Sequence, residues 1–433
     1  MNGAAFRVLG HSAHLSKKAE TMKKTICSIA LLTVMLTPSA HTQEKRFTER
    51  LYDSYESYKV KEITTRRMKH ADMMKILTSM QSSMKDLFRM EQVGVSSEGR
   101  SINLLSLGAG TKKIFMWSQM HGDEPTATMG VIDMLSYMGK NPEAPEVKRI
   151  LKDATILIIP MLNPDGAERF QRRSVHGIDI NRDALNLQSN EAKVLKATRD
   201  KYSPEFGFNL HDQEPRYTVG STGNVATIAL LAPAYDHGKS MNPVRTRAKK
   251  VAATLVDIFS PYIGGHISRY DDTFEPRAFG DNIQKWGTST VLIESGGWKD
   301  DPEKMYIRKL NCVALLGICY AIATDEYVKS DIDRFEKLSD NTKNMYDAII
   351  HGLTLTFSNG VAPVIVDVGV NMEESVDEKG TILRKGRVVD IGDLSTYSSF
   401  RSIDAKGKAV TRESVVMEGI VDVDKLLEGA KAR

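Results

Sequence analysis

Short apolar runs that end in polar residues alternate with helix-period segments through the middle of this chain. Ile114 to Met120 ends at His121, and Ala154 to Leu162 ends at Asn163-Pro164-Asp165-Gly166. Phe206 to Leu210 ends at His211, and Thr290 to Ile293 ends at Glu294. Runs this short and this continuously apolar predict strands buried on both faces. Between them, Pro125 to Met138, Asn190 to Lys201 and Val244 to Phe259 carry helical spacing, and Pro125 suits a first helical position. Upstream, the apolar positions of His70 to Arg89 predict a helix. Two strands, Val93 to Val95 and Ile102 to Leu107, then flank the turn Ser97-Glu98-Gly99-Arg100. This alternation predicts an α/β fold with an open, mostly parallel sheet and helices on both sides. Ligands of such sheets bind at the carboxyl ends of the strands, where the polar residues named above fall.

The two ends of the chain read differently. Helices are expected over Glu303 to Thr324 and Asp331 to Ile350. Beyond them Val364 to Val366, Arg387 to Val389 and Val415 to Met417 read as strands. Residues 328–433 are therefore expected to be a helix plus a small β-rich domain, with no chemistry assigned to it. Near the start, Met22-Lys23-Lys24 precedes a short apolar run, Ile26 to Leu36, and the small residues Thr37-Pro38-Ser39-Ala40. That is the pattern of a secretory signal peptide, with translation expected to begin at Met22. The run is too short for a stable membrane anchor. The expected organisation is a signal peptide with an upstream extension over 1–40, a polar linker over 41–65, and the principal domain over 66–327. The exported protein is expected in the periplasm or outside the cell, with no stable membrane span after signal cleavage.

Composition narrows the reading. At 433 residues, 41% hydrophobic and 26% charged, the chain fits a globular protein of one large domain and one smaller one. A formal charge of +4 is small for this length and argues against a nucleic-acid partner. Cys27 lies inside the apolar leader. Cys312 and Cys319 are seven apart in a predicted helix. That is a rise of roughly 10 Å, which puts them beyond disulfide reach and reads as reduced core thiols.

The chemistry concentrates at the strand ends. His121 and Glu124 stand three apart in a turn, and His211 closes a different strand. Two imidazoles and one carboxylate, with a fourth position open, form a catalytic zinc pattern. His70, His176, His237 and His266 sit in less convergent contexts. Glu294 closes a fourth strand before Ser295-Gly296-Gly297. A carboxylate in so dry a position costs free energy unless it is paired or functional. Beside zinc it can take a proton from water and pass it to a leaving amine. Arg169, Arg172 and Arg173 precede Gly177-Ile178-Asp179-Ile180-Asn181-Arg182. Guanidinium forks match carboxylates, so a clamp for a free carboxyl terminus would use such an arginine with an amide such as Asn181 beside it.

The ordered set His121-x-x-Glu124, Asn163-Pro164-Asp165-Gly166, Arg172, Asp179-Ile180-Asn181-Arg182, His211 and Ile293-Glu294-Ser295-Gly296 resembles the zinc metallocarboxypeptidases, carboxypeptidase A-like zinc peptidases, in a bacterial-type member. The resemblance covers about residues 65 to 325. It implies a mixed, mostly parallel eight-stranded sheet sandwiched by helices and one Zn2+ per chain, held by His121, Glu124 and His211. It further implies that Asn181 and Arg182 bind the substrate carboxylate, that Arg172 polarises the scissile carbonyl with Arg173 as the less favoured choice, and that Glu294 is general base and acid. Departures from the family pattern are Asp183-Ala184 after Arg182, Asp212-Gln213 after His211, and a lone Tyr270 between Tyr270 and Gln284 where a substrate-capping tyrosine is sought. The segment Phe274 to Asp281 is expected to line the pocket. The leading expectation is zinc-dependent hydrolysis of a C-terminal amide bond in an exported peptide. The alternatives are an amidase or deacylase of murein peptides or acylated amino acids, and a non-catalytic binding protein that keeps the fold.

Overall fold

The computed structural model of the protein describes residues 45–84, 87–377 and 381–427. The expected signal peptide, with Cys27, lies outside the described residues. Nine strands belong to the principal domain: β1 Arg89–Val95, β2 Ser101–Leu107, β3 Lys112–Ser118, β4 Ala154–Ile159, β5 Phe206–Asp212, β6 Tyr217–Val219, β7 Ile228–Leu231, β8 Ile267–Arg269 and β9 Ser289–Ser295. All but β6 form one mixed sheet in the order β1-β2-β4-β3-β5-β9-β7-β8. Its centre, β4-β3-β5-β9, is parallel. The antiparallel pairs are β1 with β2, β2 with β4 and β7 with β9.

The strands alternate between two cores, as a sheet covered on both faces must. Ile114, Met116, Phe206, Phe208, Val291 and Ile293 face one core. There they meet α1 Phe47–Tyr58, α2 His70–Ser83, α3 Thr126–Lys140, α4 Pro145–Asp153, α7 Pro243–Ile263 and α9 Met305–Ala323. Phe115, Trp117, Leu157 and Ile159 face the other core, against α6 Asn190–Tyr202 and α8 Phe279–Lys285. A short helix, α5 Pro164–Arg169, follows β4. By the same alternation, His211 and Glu294 project on the side of the smaller core. The helix α9 is long and apolar enough to cross a bilayer, yet its most apolar window is 78% buried inside the protein, which makes it a core helix. It carries Cys312 and Cys319, both buried and free.

The segment read as a linker is instead part of the core. Phe47, Leu51, Tyr55 and Tyr58 are buried on one stripe of α1. The repeat is helical, but its large members are tyrosines, whose ring faces bury while their hydroxyls bond, so the stretch reads as polar. A buried ion pair fixes it. Arg308 on α9 meets both oxygens of Asp133 on α3 at 2.7 Å. Tyr55 donates to Asp133 at 2.5 Å, and the Val60 N–H donates to it at 2.8 Å.

The helix expected over Asp331 to Ile350 is also replaced. Only α10 Asp333–Glu336 is helical, followed by β10 Asn341–Lys343 and β11 Met345–Thr356. Ser339-Asp340-Asn341-Thr342 breaks the helical repeat. From Met345, pairing on both sides of β11 decides the outcome. The C-terminal sheet comprises β11, β12 Val364–Val376, β13 Ile382–Gly392, β14 Ser398–Asp404, β15 Ala409–Thr411 and β16 Ile420–Val421, around its own core of Ile350, Leu353, Val368, Val370 and Val388. Val415 to Met417, expected as a strand, is a turn region whose Val415 fills that core. This sheet is no separate body: the described residues form one compact unit. It joins the principal domain through β10, which pairs with β6.

Candidate active site

The chain leaves β3 through Gln119, whose φ of 45° turns it sharply. Met120 then packs inward and His121 stands at the strand end. The turn His121-Gly122-Asp123-Glu124 lies against Asn163-Pro164-Asp165-Gly166 backbone to backbone. A Cβ on Gly122 would come within 2.0 Å of the Gly166 carbonyl carbon, so the approach requires glycine. Asn163 caps α5 by accepting from the Gly166 N–H at 2.9 Å. Asp165, fully buried, accepts from Ser96 Oγ at 2.7 Å, the Glu98 N–H at 3.0 Å and Arg100 at 2.7 Å. The Asn-Pro-Asp-Gly motif is thus the scaffold on which the His-x-x-Glu turn rests.

His211 comes from β5 and Glu294 from β9, and the two are register partners across the parallel pair. Glu124 sits between the imidazoles: its Oε1 lies 2.7 Å from His121 Nδ1, and its Oε2 lies 2.7 Å from His211 Nδ1. The ligand atoms of the three residues all lie within 4.8 Å of one another, and all three residues are buried. His121 Nε2 lies 3.0 Å from Asp179 Oδ1. Burial works to lower the pKa of His121, but the carboxylates of Glu124 and Asp179 overcome it and raise the value to about 9. At His211 burial outweighs the charge of Glu124 and lowers the value instead. His211 Nε2 and Glu294 Oε2 are buried without a partner. Burial first, and then the charge of Glu124, push the Glu294 carboxyl well above the ordinary range.

Arg172 reaches into this cluster. Its Nη1 lies 3.1 Å from Glu124 Oε1, and its Nε and Nη2 lie 3.2 and 3.0 Å from Asp179 Oδ2. Arg173 does not: it is exposed and donates to the Gly177 carbonyl at 3.0 Å. Asn181 follows Asp179 in a short 3-10 turn, and its Oδ1 accepts from the Phe279 N–H at 3.0 Å. That bond orients the amide so that its NH2 group points away from α8. Arg182 lies 3.4 Å from Glu275, a partly exposed and loose pair. Phe274 to Asp281 is thereby tied to the clamp turn, which also holds the Ala184 N–H to the Arg277 carbonyl at 3.1 Å.

Residues 73–218 match the family model for zinc carboxypeptidase. Carboxypeptidase 2 of Trichophyton rubrum is 29% identical over 127 residues, which cover 27% of this chain and 23% of that protein. Cytosolic carboxypeptidase 6 of Homo sapiens is 31% identical over 170 residues, covering 34% of this chain and 33% of that protein. The chain thus spans about a quarter to a third of the length of these relatives. Among solved structures, bovine thrombin-activatable fibrinolysis inhibitor in complex with tick carboxypeptidase inhibitor covers 64% of this chain and 99% of its own, at 16% identity and a TM-score of 0.49. A metallo-carboxypeptidase from Burkholderia cenocepacia covers 59% of this chain and 69% of its own, at 17% identity and a TM-score of 0.47.

Over residues 73–218 the chain is similar to the zinc carboxypeptidase family.

The matched segment contains His121, Glu124, Arg172, Asn181, Arg182 and His211, whereas Glu294 lies beyond it. The donor set fits a zinc ion on the chemistry of its atoms: two imidazole nitrogens and a carboxylate converge, and one histidine is backed by a carboxylate on its other nitrogen. Two contributors, Asp179 and Lys304, were missed from the sequence. Asp179 braces both His121 and Arg172, and its place two residues before Asn181 is the signal that could have found it. Lys304, before α9, joins two strand ends: its Nζ lies 3.1 Å from Asp212 Oδ2 and donates to the Ser295 carbonyl at 2.9 Å. It compensates the buried Asp212 that departs from the family pattern, and no local pattern announces it. Tyr270, the lone tyrosine singled out from the sequence in this stretch, is half-buried after β8, and burial first, then the charge of Glu294, raises its phenol well above the usual range.

Proposed function

We propose that this protein hydrolyses the C-terminal peptide bond of an exported peptide in a zinc-dependent reaction, acting in the periplasm or outside the cell. The observation that carries the reading is the register of Glu294 beside His211, which sets an unpaired, buried carboxylate at the two-histidine, one-glutamate cluster. His121, Glu124 and His211 would hold one zinc ion, which supplies Lewis acidity and lowers the pKa of water. Glu294, raised by burial and by Glu124, takes a proton from water and delivers it to the departing amine. Arg172, fixed by Asp179 yet open to solvent on one side, donates to the carbonyl oxygen as charge develops there. Arg182 exchanges its loose pairing with Glu275 for the substrate's terminal carboxylate, and the Asn181 amide donates beside it. The clamp then aligns the scissile bond over the cluster.

Glu294→Gln keeps the shape and removes the base. The expected result is a fall in kcat of about 10²- to 10⁴-fold with bound zinc retained. Full activity in this variant would overturn the mechanism. Turnover confined to murein fragments or acylated amino acids would assign the same residues to an amidase or deacylase.

A further inference from the structure

The catalytic cluster opens into a cleft of about 970 Å³ that the C-terminal sheet helps to build. Glu124 and Arg172 line one side; Met372 of β12 and Phe400 of β14 line another. That volume is at the upper end of small-molecule sites and leaves room for several residues of a peptide.

The direction of the cleft follows from the clamp. Asn181 and Arg182 stand at the α8 side of the cluster, and neither lines this cleft. A substrate whose terminal carboxylate is held there, with its scissile carbonyl at Arg172, must run its upstream residues away from α8. The cleft walled by the C-terminal sheet is the space on the other side of Arg172.

That wall is fastened to the loops that leave the catalytic strands. After His211, Arg216 donates to Asp347 of β11 at 2.6 Å, and the Met372 N–H donates to the same carboxylate oxygen at 2.6 Å. After Glu294, Gly297 is pinched between the Pro215 carbonyl and the Phe400 ring: a Cβ there would lie 2.7 Å from the first and 3.0 Å from the second. Arg384 of β13 donates to the Pro302 carbonyl at 3.0 Å, and its Nε reaches Glu374 at 2.9 Å. Arg66, buried beside the cleft, pairs with the same Glu374.

Resting on the carboxypeptidase reading above, we propose that the C-terminal sheet forms the subsites for residues N-terminal to the scissile bond, with Phe400 and Met372 as the contact surface. The preferred substrate class is then an extended peptide of about four residues or more, not a single acylated amino acid. Phe400 and Met372 are specificity-determining residues in this assignment and take no part in proton transfer.

The test uses the full chain loaded with zinc. Steady-state kcat and KM are measured on an N-acylated dipeptide and on a pentapeptide with the same two C-terminal residues. Wild type is expected to favour the pentapeptide. In Phe400→Ala and Met372→Ala the pentapeptide-to-dipeptide ratio of kcat/KM is expected to fall about tenfold, chiefly through KM. Ile365→Ala, on the exposed part of β12, keeps the ratio. Thermal melts of each variant separate lost contacts from lost folding. A ratio that stays at the wild-type value, or an equal fall on both substrates, overturns the inference and leaves the sheet a mere support. Zinc-loaded wild type that cleaves neither peptide fails the underlying reading, and the inference falls with it.

Discussion

Asp179 is the residue whose removal tests the architecture of the site most sharply. Its two oxygens divide their work: Oδ1 faces His121 Nε2 at 3.0 Å, and Oδ2 faces Arg172 Nη2 at 3.0 Å. The charges of His121 and Arg172 hold its carboxyl well below the ordinary range despite burial, so it is ionised at any working pH. Asp179→Asn preserves volume but supplies only one acceptor, so its NH2 group must confront either the imidazole or the guanidinium. Losing the carboxylate that orients a ligating histidine costs about 10- to 100-fold in metal affinity, or about 1.4–2.7 kcal/mol. Misplacing Arg172 adds a further fall in kcat of comparable size or greater, because the carbonyl oxygen loses its donor. Zinc affinity is read by competition with a chromophoric chelator, and kcat/KM is read on the zinc-saturated variant. A zinc affinity within about threefold of wild type, together with unchanged kcat, would refute this account of Asp179.

Two further perturbations follow from the structure. Asp133→Ala strands the buried Arg308 guanidinium and frees α1, so chemical denaturation should show a loss of about 3–5 kcal/mol; a loss below about 1 kcal/mol would mean the pair is not what holds the N-terminal helix. Burial raises Asp281 from 3.8 to about 6, so the folded state binds its proton more tightly than the unfolded chain does. Its contribution to stability is full below pH 3.8 and is lost as pH rises through about 6. Asp281→Asn, which keeps the acceptor for the Glu275 N–H, should therefore raise the melting temperature at pH 8 and leave it nearly unchanged near pH 4; an equal shift at both pH values would contradict the sign.

The parts legible in the sequence are those where one local signal decides the outcome. The strands that end at His121, His211 and Glu294 are buried on both faces, so their apolar runs stand out, and the topology of a parallel sheet places those ends together. The helices α3, α6, α7 and α9 carry enough repeats to be read. The failures have a common cause in tertiary context. Tyr55 and Tyr58 make α1 look like a solvated linker, because a tyrosine that buries its ring beside Asp133 has the same letter as one in water. Phe335 and Leu338 continue a helical repeat only until β6 and β12 offer strand partners to the residues that follow. Only the family resemblance favours Arg172 over Arg173; nothing local separates them, since the choice depends on which one reaches Asp179. Lys304 is invisible for a similar reason: its partners Asp212 and Ser295 lie on two other strands.

The most direct test of the central claim is mass-spectrometric product analysis of a mixed peptide panel after treatment with zinc-stripped and zinc-restored protein. Loss of single C-terminal residues that disappears on chelation and returns with zinc is the result this account predicts. Peptide cleavage that persists after the metal is stripped, or that falls at internal bonds, would contradict it.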